Sequence, residues 1–277
     1  MRAPPAWEDP RRALRRHGLA PKRAFSQNFL VSRTVVERIA SALAPRPDEL
    51  TVELGAGLGT LTAALLRAGG RVLAIERDRD MLAVLRADLG GVEGLEVHEG
   101  DAAAIDLSAL AREHGPLALA GNLPYAVTGA ILENLVRHRA ALGRAVVMVQ
   151  REVRDRLIAA PGTKAYGALT VFVQAGFEVE PVMRVPAGAF HPPPKVESAV
   201  VRLVPRAAPR AEETEAFRTV VHAAFRARRK TLRNALKAIG AEGALEATGI
   251  DGNRRGETLS IEELAALAAA LDQRTPS

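Results

Sequence analysis

Residues 51–62 read T-V-E-L-G-A-G-L-G-T-L-T: a short apolar run, glycine at positions 55, 57 and 59, then a segment of helical character. Alternating glycines let the backbone bend sharply and bring the main chain against a bulky ligand, so a strand, this turn and a helix together form a cradle of nucleotide size. Several cofactor classes use such a turn, and the details separate them. A dinucleotide fingerprint requires glycine at the first, third and sixth places, yet the sixth place counted from Gly55 is Thr60. Glu53, two residues before Gly55, suits a cationic ligand better than a phosphate. The stretch points to a sulfonium cofactor, S-adenosylmethionine (SAM), although a plain tight turn packing a helix on a sheet would use the same glycines.

Around this centre, strand-like and helix-like segments alternate, the mark of a mostly parallel sheet covered on both faces. Residues 50–54 form the first strand and 61–68 its helix, ended by Gly69-Gly70. A strand over 71–76 and a helix over 79–89, capped by Asp78, follow. Further strands are expected over 95–98, 117–120 and 145–149, with a helix from a capping Thr128 to about Leu142. Residues 177–185 and 198–204 complete the sheet with antiparallel pairing. Pro205 to Arg210, P-R-A-A-P-R, reads as a linker. Helices are then expected over 212–225, 230–239 and 261–271, the last opened by a capping box of Ser260 and Glu263. The expectation is an α/β domain over 1–208 and a small all-α domain over 209–277.

Residues 1–30 make a basic, proline-containing arm whose charges read as solvated, while Phe25, Phe29 and Leu30 argue that its end packs on the body. A helix is expected over 34–43. The arm has no apolar core of the kind a secretion signal needs, and no apolar run approaches the roughly 20 residues of a membrane span, so a cytoplasmic protein is expected. There is no cysteine, which removes disulfides, thiolate metal sites and cysteine nucleophiles. A net charge of +6 favours a polyanionic partner such as nucleic acid. Only five of the 38 basic residues are lysines, a bias that genome composition or life at high temperature would also produce.

In open α/β sheets ligands sit beyond the carboxyl ends of the strands, and those ends here carry Gly55, Glu76, Asp101 and Asn122. Glu76 is placed to accept both ribose hydroxyls, and Asp101 to accept from an adenine amine, unless it serves as an ordinary cap or surface acid. Asn122-Leu123-Pro124-Tyr125 is the most specific short motif. An adenine amine is a poor nucleophile because its lone pair is delocalised into the ring, and acceptors aimed at its protons draw that density back. Asn122 offers a side-chain carbonyl, Pro124 restricts the backbone so that a main-chain carbonyl converges, and Tyr125 gives a stacking face. Phe190, in F-H-P-P-P-K-V, is an exposed-looking aromatic suited to the other face of a flipped base, or else a buried residue of a proline-rich crossover. Arg226, Arg229, Lys230, Arg233 and Lys237 share one face if their helix is continuous, which suits phosphate contact as well as a solvated surface.

These residues resemble the KsgA/RsmA family of ribosomal RNA small-subunit adenine-N6 dimethyltransferases. The resemblance runs through K-R-A-F-S-Q-N-F-L, V-E-L-G-A-G-L-G-T-L-T, I-E-R-D, G-D-A, N-L-P-Y, M-V-Q-R-E-V, F-H-P-P-P-K-V-E-S-A-V and F-R-A-R-R-K-T-L-R-N-A-L, in that order. It implies a class I SAM-dependent methyltransferase fold with a helical RNA-binding C-terminal domain. It also implies that Asn28, Leu30, Gly55, Glu76, Asp101 and Asn122 line the SAM pocket, and that no metal is required. The implied activity is dimethylation of two adjacent adenosines in the 3′-terminal hairpin of 16S ribosomal RNA, by a monomer acting on an immature 30S subunit. Ser26 departs from the glycine frequent in the family, which bears on the backbone of the arm. A non-catalytic RNA-binding assembly factor on the same fold is the alternative, one for which an intact cradle and N-L-P-Y are unexpected. A nicotinamide dehydrogenase is disfavoured by Thr60.

Overall fold

A computed structural model describes residues 2–22, 27–226 and 229–273. In chain order the elements are α1 (Pro10–Arg16), β1 (Phe29–Leu30), α2 (Arg33–Leu43), β2 (Leu50–Leu54), α3 (Thr60–Arg67), β3 (Arg71–Glu76), α4 (Arg79–Leu89), β4 (Leu95–Glu99), α5 (Leu107–His114) and β5 (Leu117–Asn122). Next come α6 (Thr128–Arg137), β6 (Leu142–Gln150), α7 (Arg151–Leu157), α8 (Ala168–Gly176), β7 (Phe177–Val185), β8 (Phe190–His191) and β9 (Ser198–Pro205). The chain closes with α9 (Glu215–Arg226), α10 (Leu232–Lys237), α11 (Gly243–Thr248) and α12 (Ile261–Asp272). Among the described residues no helix is long and apolar enough to cross a membrane.

The chain divides into two compact units, Met1–Arg154 with Glu178–Pro205, and Asp155–Phe177 with Arg206–Ser277. The first holds a seven-stranded sheet in the order β4-β3-β2-β5-β6-β9-β7. β2 pairs in parallel with β3 and β5, β3 with β4, and β5 with β6, while β6 and β9 run antiparallel. Every residue of β2 is buried, as a central parallel strand covered on both faces requires. α2 turns Val35, Val36, Ile39, Ala40 and Leu43 inward at helical spacing. α4 starts where Asp78 accepts from the Asp80 N–H at 3.0 Å and stops before Gly90.

Two expectations for this unit need correction. Thr128 does not cap α6 but lies in its first turn, donating its hydroxyl to the Pro124 carbonyl at 3.0 Å. That helix ends at Arg137 rather than near Leu142, because Leu142 pairs with Leu117 and the chain must already be extended there. The arm is not a solvated tail either. Asp9 caps α1, Pro10 begins it, and Leu14 packs with Phe29, Leu58, Met81 and Val84. Arg16 pairs with Glu8 at 2.6 Å and with Asp88 at 2.5 Å, and Arg2 forms a parallel bridge with Val92. Phe29 and Leu30 are buried as expected, whereas Phe25 lies outside the described residues.

The second unit is helical. It takes in Asp155–Phe177 as well as the chain from Arg206, so it is not the linear segment 209–277. α8 is held there by Phe172, whose ring meets Phe217 edge-on at 6.1 Å. Tyr166 is buried and donates its hydroxyl to the Leu259 carbonyl at 3.0 Å; burial pushes that phenol up to about 12. The capping box of α12 forms as read, Ser260 N–H to Glu263 at 2.8 Å and Glu263 N–H to the Ser260 hydroxyl at 3.2 Å. The basic segment is not one continuous helix: Arg226 ends α9, while Arg233 and Lys237 belong to α10, and Arg229 and Lys230 lie in neither. α10 is set instead by backbone bonds from Leu232 to Arg254 and from Arg233 to Gly252, at 2.7 and 2.9 Å. Arg228 is outside the described residues.

Candidate active site

The cradle forms because β2 ends in a turn that only glycine adopts without strain. Gly55, Gly57 and Gly59 have φ of 75°, 56° and 77°. A Cβ on Gly59 would lie 2.6 Å from Leu85 and Leu89, and one on Gly57 would lie 3.3 Å from the Phe29 ring. At these two positions glycine therefore answers to torsion and to packing behind the loop, rather than to the room a ligand needs. The loop is tied to β3 by Gly55 and Ala56 N–H groups donating to the Ile75 carbonyl at 2.9 and 3.1 Å.

In front of the loop lies an open cleft of about 1160 Å³, mouth included. Asn28, Leu30, Gly55, Glu76, Asp101, Asn122, Leu123, Pro124 and Tyr125 all line it; Phe190 does not. Glu76, buried at the end of β3, accepts from the Gly57 N–H through Oε2 and from the Arg77 and Asp78 N–H groups through Oε1, each at 2.8 Å. A carboxylate offers about four acceptor positions, so three are used and the open one is on Oε2. That geometry serves one further donor, whereas two ribose hydroxyls were expected. Asp101 is less committed: Oδ1 accepts from the Ala103 N–H at 2.9 Å, Oδ2 lies 3.6 Å from Arg77, and the side chain is 47% exposed.

Glu53 departs most from its expected place. It lines the cleft but is only 1% exposed, and it accepts from the Thr62 hydroxyl at 2.5 Å. Burial, opposed by the Thr62 hydrogen bond and reinforced by the Glu76 charge, raises its carboxyl from 4.5 to about 8. It is a proton-holding acid under the cradle, not an exposed anion.

N-L-P-Y leaves β5 between β6 and the arm. The Leu123 N–H donates to the Met148 carbonyl of β6 at 3.1 Å, and the Leu123 side chain is buried. The Asn122 amide donates through Nδ2 to the Asn28 carbonyl at 3.0 Å, which turns Oδ1 away as an acceptor. The carbonyl of Pro124 accepts from the Val127 N–H at 3.1 Å and from Thr128, so it is already occupied. Tyr125 is half-buried in a one-turn helix, Tyr125–Val127, and its hydroxyl meets Ser198 Oγ at 2.6 Å. Burial raises the Tyr125 phenol while the Ser198 bond pulls the other way.

Phe190 is the correction on the substrate side. It is 3% exposed, paired with Leu30 across the antiparallel β1-β8 ladder, and packed in the core with Leu30, Val35 and Val185. Strand pairing turns its ring inward, so it offers no face to a base; it anchors β1, the strand that follows Asn28. The arm is pinned on its other side by Lys22, which meets Asp78 at 2.8 Å, and by Gln27, which donates to Asp78 at 2.7 Å. Burial opposes ionisation of Asp78, but Lys22, the Asp80 N–H and Gln27 together hold its carboxyl below the usual range. Ser26 lies outside the described residues. Sequence reasoning missed Ser198 and Gln27, since nothing local marks a hydroxyl or an amide whose partner is 73 or 51 residues away.

The residues fit a SAM-type ligand: a glycine turn, a buried carboxylate at one strand end and an exposed one at the next. Residues 18–273 match the family described as "Ribosomal RNA adenine dimethylase". The chain is 46% identical to "Ribosomal RNA small subunit methyltransferase A" of Myxococcus xanthus, over 98% of each chain. It is 45% identical to the protein of that name from Anaeromyxobacter dehalogenans, over 96% of this chain and 98% of the relative. The crystal structure of the 23S rRNA methyltransferase ErmE superposes with a TM-score of 0.65 at 30% identity, covering 89% of this chain and all of that one. A dimethyladenosine transferase from Plasmodium falciparum shares the fold, with a TM-score of 0.76 at 24% identity over 88% of this chain and 98% of that one. On a match spanning both the cleft and the helical unit, the chain belongs to the ribosomal RNA adenine dimethylase family.

Proposed function

We propose that this chain is a SAM-dependent dimethyltransferase acting on the N6 amines of two adjacent adenosines in the 3′-terminal hairpin loop of 16S ribosomal RNA. Its substrate would be an immature 30S subunit in the cytoplasm. The chain would act as a monomer. The observation that carries the reading is the orientation of Asn122: with Nδ2 committed to Asn28, Oδ1 is left as an acceptor, and a main-chain carbonyl of N-L-P-Y would supply the second. Two acceptors of this kind hold the two protons of an adenine amine and return lone-pair density to nitrogen. Glu76 and Asp101 would hold the ribose and adenine of SAM, which supplies when bound a methyl group already activated on a sulfonium. Tyr125 would stack on the flipped base, an interaction worth roughly 1 to 3 kcal/mol against an unstacking cost of a few.

The small subunit is favoured over the large because the relatives named for it are 44–46% identical, against 30% for ErmE. Mass spectrometry of digested ribosomal RNA from a strain lacking the gene tests this directly. Small-subunit RNA should lose dimethyladenosine at two neighbouring positions and regain it on incubation with purified protein and SAM. Methylation restored only in large-subunit RNA, or a small-subunit pattern unchanged by the deletion, would overturn it.

A further inference from the structure

We propose that Ser198 is a positioning residue for the methyl acceptor, holding the tip of the Tyr125 ring in place through their shared hydrogen bond. This rests on the reading of Tyr125 as the stacking face. Ser198 is 0% exposed and opens β9 opposite Gln150 of β6, with its Oγ 2.6 Å from the Tyr125 hydroxyl. The same β6 strand receives the Leu123 N–H on Met148. N-L-P-Y is therefore clamped twice on one antiparallel strand pair, by its backbone at Leu123 and by the far tip of its ring at Tyr125.

The start of β9 is itself held in place. Arg151 donates its N–H to the Glu197 carbonyl at 2.9 Å and its guanidinium to the Glu197 carboxylate at 2.8 Å. A phenol hydroxyl lies on the axis about which the ring turns, so a tether there fixes where the tip of the ring sits and thereby limits its swing about the Cα–Cβ bond. Ser198 has no access to water, so losing the Tyr125 hydroxyl strands a buried polar atom, and losing the serine hydroxyl removes the ring's anchor. The acceptor must be presented twice, first with two amine protons and then with one proton and one methyl. A ring held at its tip lets the amine turn about its own bond while the base stays in place. A loosened ring weakens capture and penalises the second presentation more than the first.

The test uses the full chain and small subunits purified from a strain lacking this modification. Ser198→Ala should raise KM for the subunits about three- to tenfold, the equivalent of one lost hydrogen bond, with a smaller fall in kcat. Monomethyladenosine should accumulate among its products, and Ser198→Thr, which keeps the hydroxyl, should restore the wild-type ratio. In a Tyr125→Phe background, Ser198→Ala should add nothing. Independent, additive effects, or a wild-type product ratio from Ser198→Ala, would overturn the proposal. If Ser198→Ala fails to fold by thermal melting, Tyr125→Phe cuts the same bond from its more exposed side, and a wild-type ratio there is equally fatal. Tyr125→Ala separates the two ideas: unchanged KM removes the stacking role itself, whereas lost capture beside a wild-type Ser198→Ala removes only the positioning role.

Discussion

Glu76 takes its three backbone hydrogen bonds from residues 19, 1 and 2 positions away, whereas Asn122 and Tyr125 lean on partners 94 and 73 positions away. The glycine turn and Glu76 are thus made by two consecutive strand-turn-helix units and take shape wherever β2 and β3 pair, although Asn28 and Leu30 reach the same cleft from the arm. The substrate half exists only after the arm has been laid beside β5 and the chain has returned as β9. Long loops cost closure entropy, and contacts that close them form late and are lost first. A lesion in β9, distant in sequence from N-L-P-Y, should consequently spare cofactor binding and damage methyl transfer.

The sharpest way to break this contrast is Asn122→Ala. Removing one preorganised polar group from a reacting centre typically costs about a hundredfold or more in rate. Single-turnover transfer at saturating SAM should fall by that order, beyond any loss that calorimetric titration shows for SAM itself. Transfer near the wild-type rate would remove Asn122 from the chemistry.

Next in size is the difference between the two cofactor-side carboxylates. A charge-assisted bond in a closed site is worth roughly 1.5 to 3 kcal/mol, so Glu76→Ala should weaken SAM binding at least tenfold. Asp101, nearly half exposed, has its charge screened by water, and Asp101→Ala should cost no more than about threefold. Equal losses in the same titration would show that burial is not what ranks them.

The smallest step per unit change is the pH dependence set by Glu53. Its folded-state carboxyl lies at about 8 against an ordinary 4.5, so between those values the folded chain holds a proton that the unfolded chain has released. Stability should therefore fall as pH rises through this window, by at most ~1.4 kcal/mol per pH unit, and level off above it. Glu53→Gln, neutral at every pH, should flatten that slope in urea titrations between pH 5 and 8. Parallel profiles for variant and wild type would mean that Glu53 is ionised in its buried site.

The same contrast explains what could be read from the residues alone. β2, β3, α4 and β7 have the ends the sequence leads one to expect, because apolar alternation, Asp78 as a cap and glycine pairs as stops all act within a few residues. Nine of the ten expected site residues line the cleft: Gly55, Glu76, Asp101 and the N-L-P-Y residues are marked by a strand end or a motif, Asn28 and Leu30 by the family resemblance alone. Phe190 fails because exposure is a tertiary property: whether a proline-flanked aromatic faces a ligand or the core depends on β1, 160 residues earlier in the chain, arriving to pair with it. Glu53 fails likewise, since charge was inferred from residue type and the burial that suppresses it comes from the packed helix above. α1, α5, α7, α8 and α11 lie outside the sequence expectation; they are short, and tertiary packing holds them more than local propensity does.

The docked arm has a consequence in time. Arg16 and its partner Asp88 are 72 residues apart, and Leu14 waits likewise for Met81 and Val84. At about 5 to 20 residues per second, a ribosome takes roughly 4 to 14 seconds to make that intervening chain. For those seconds Arg16 has Glu8 within reach but not Asp88, and it is α4, completing its own last turn, that supplies the second carboxylate and the apolar contacts that hold the arm behind the glycine loop at Leu58.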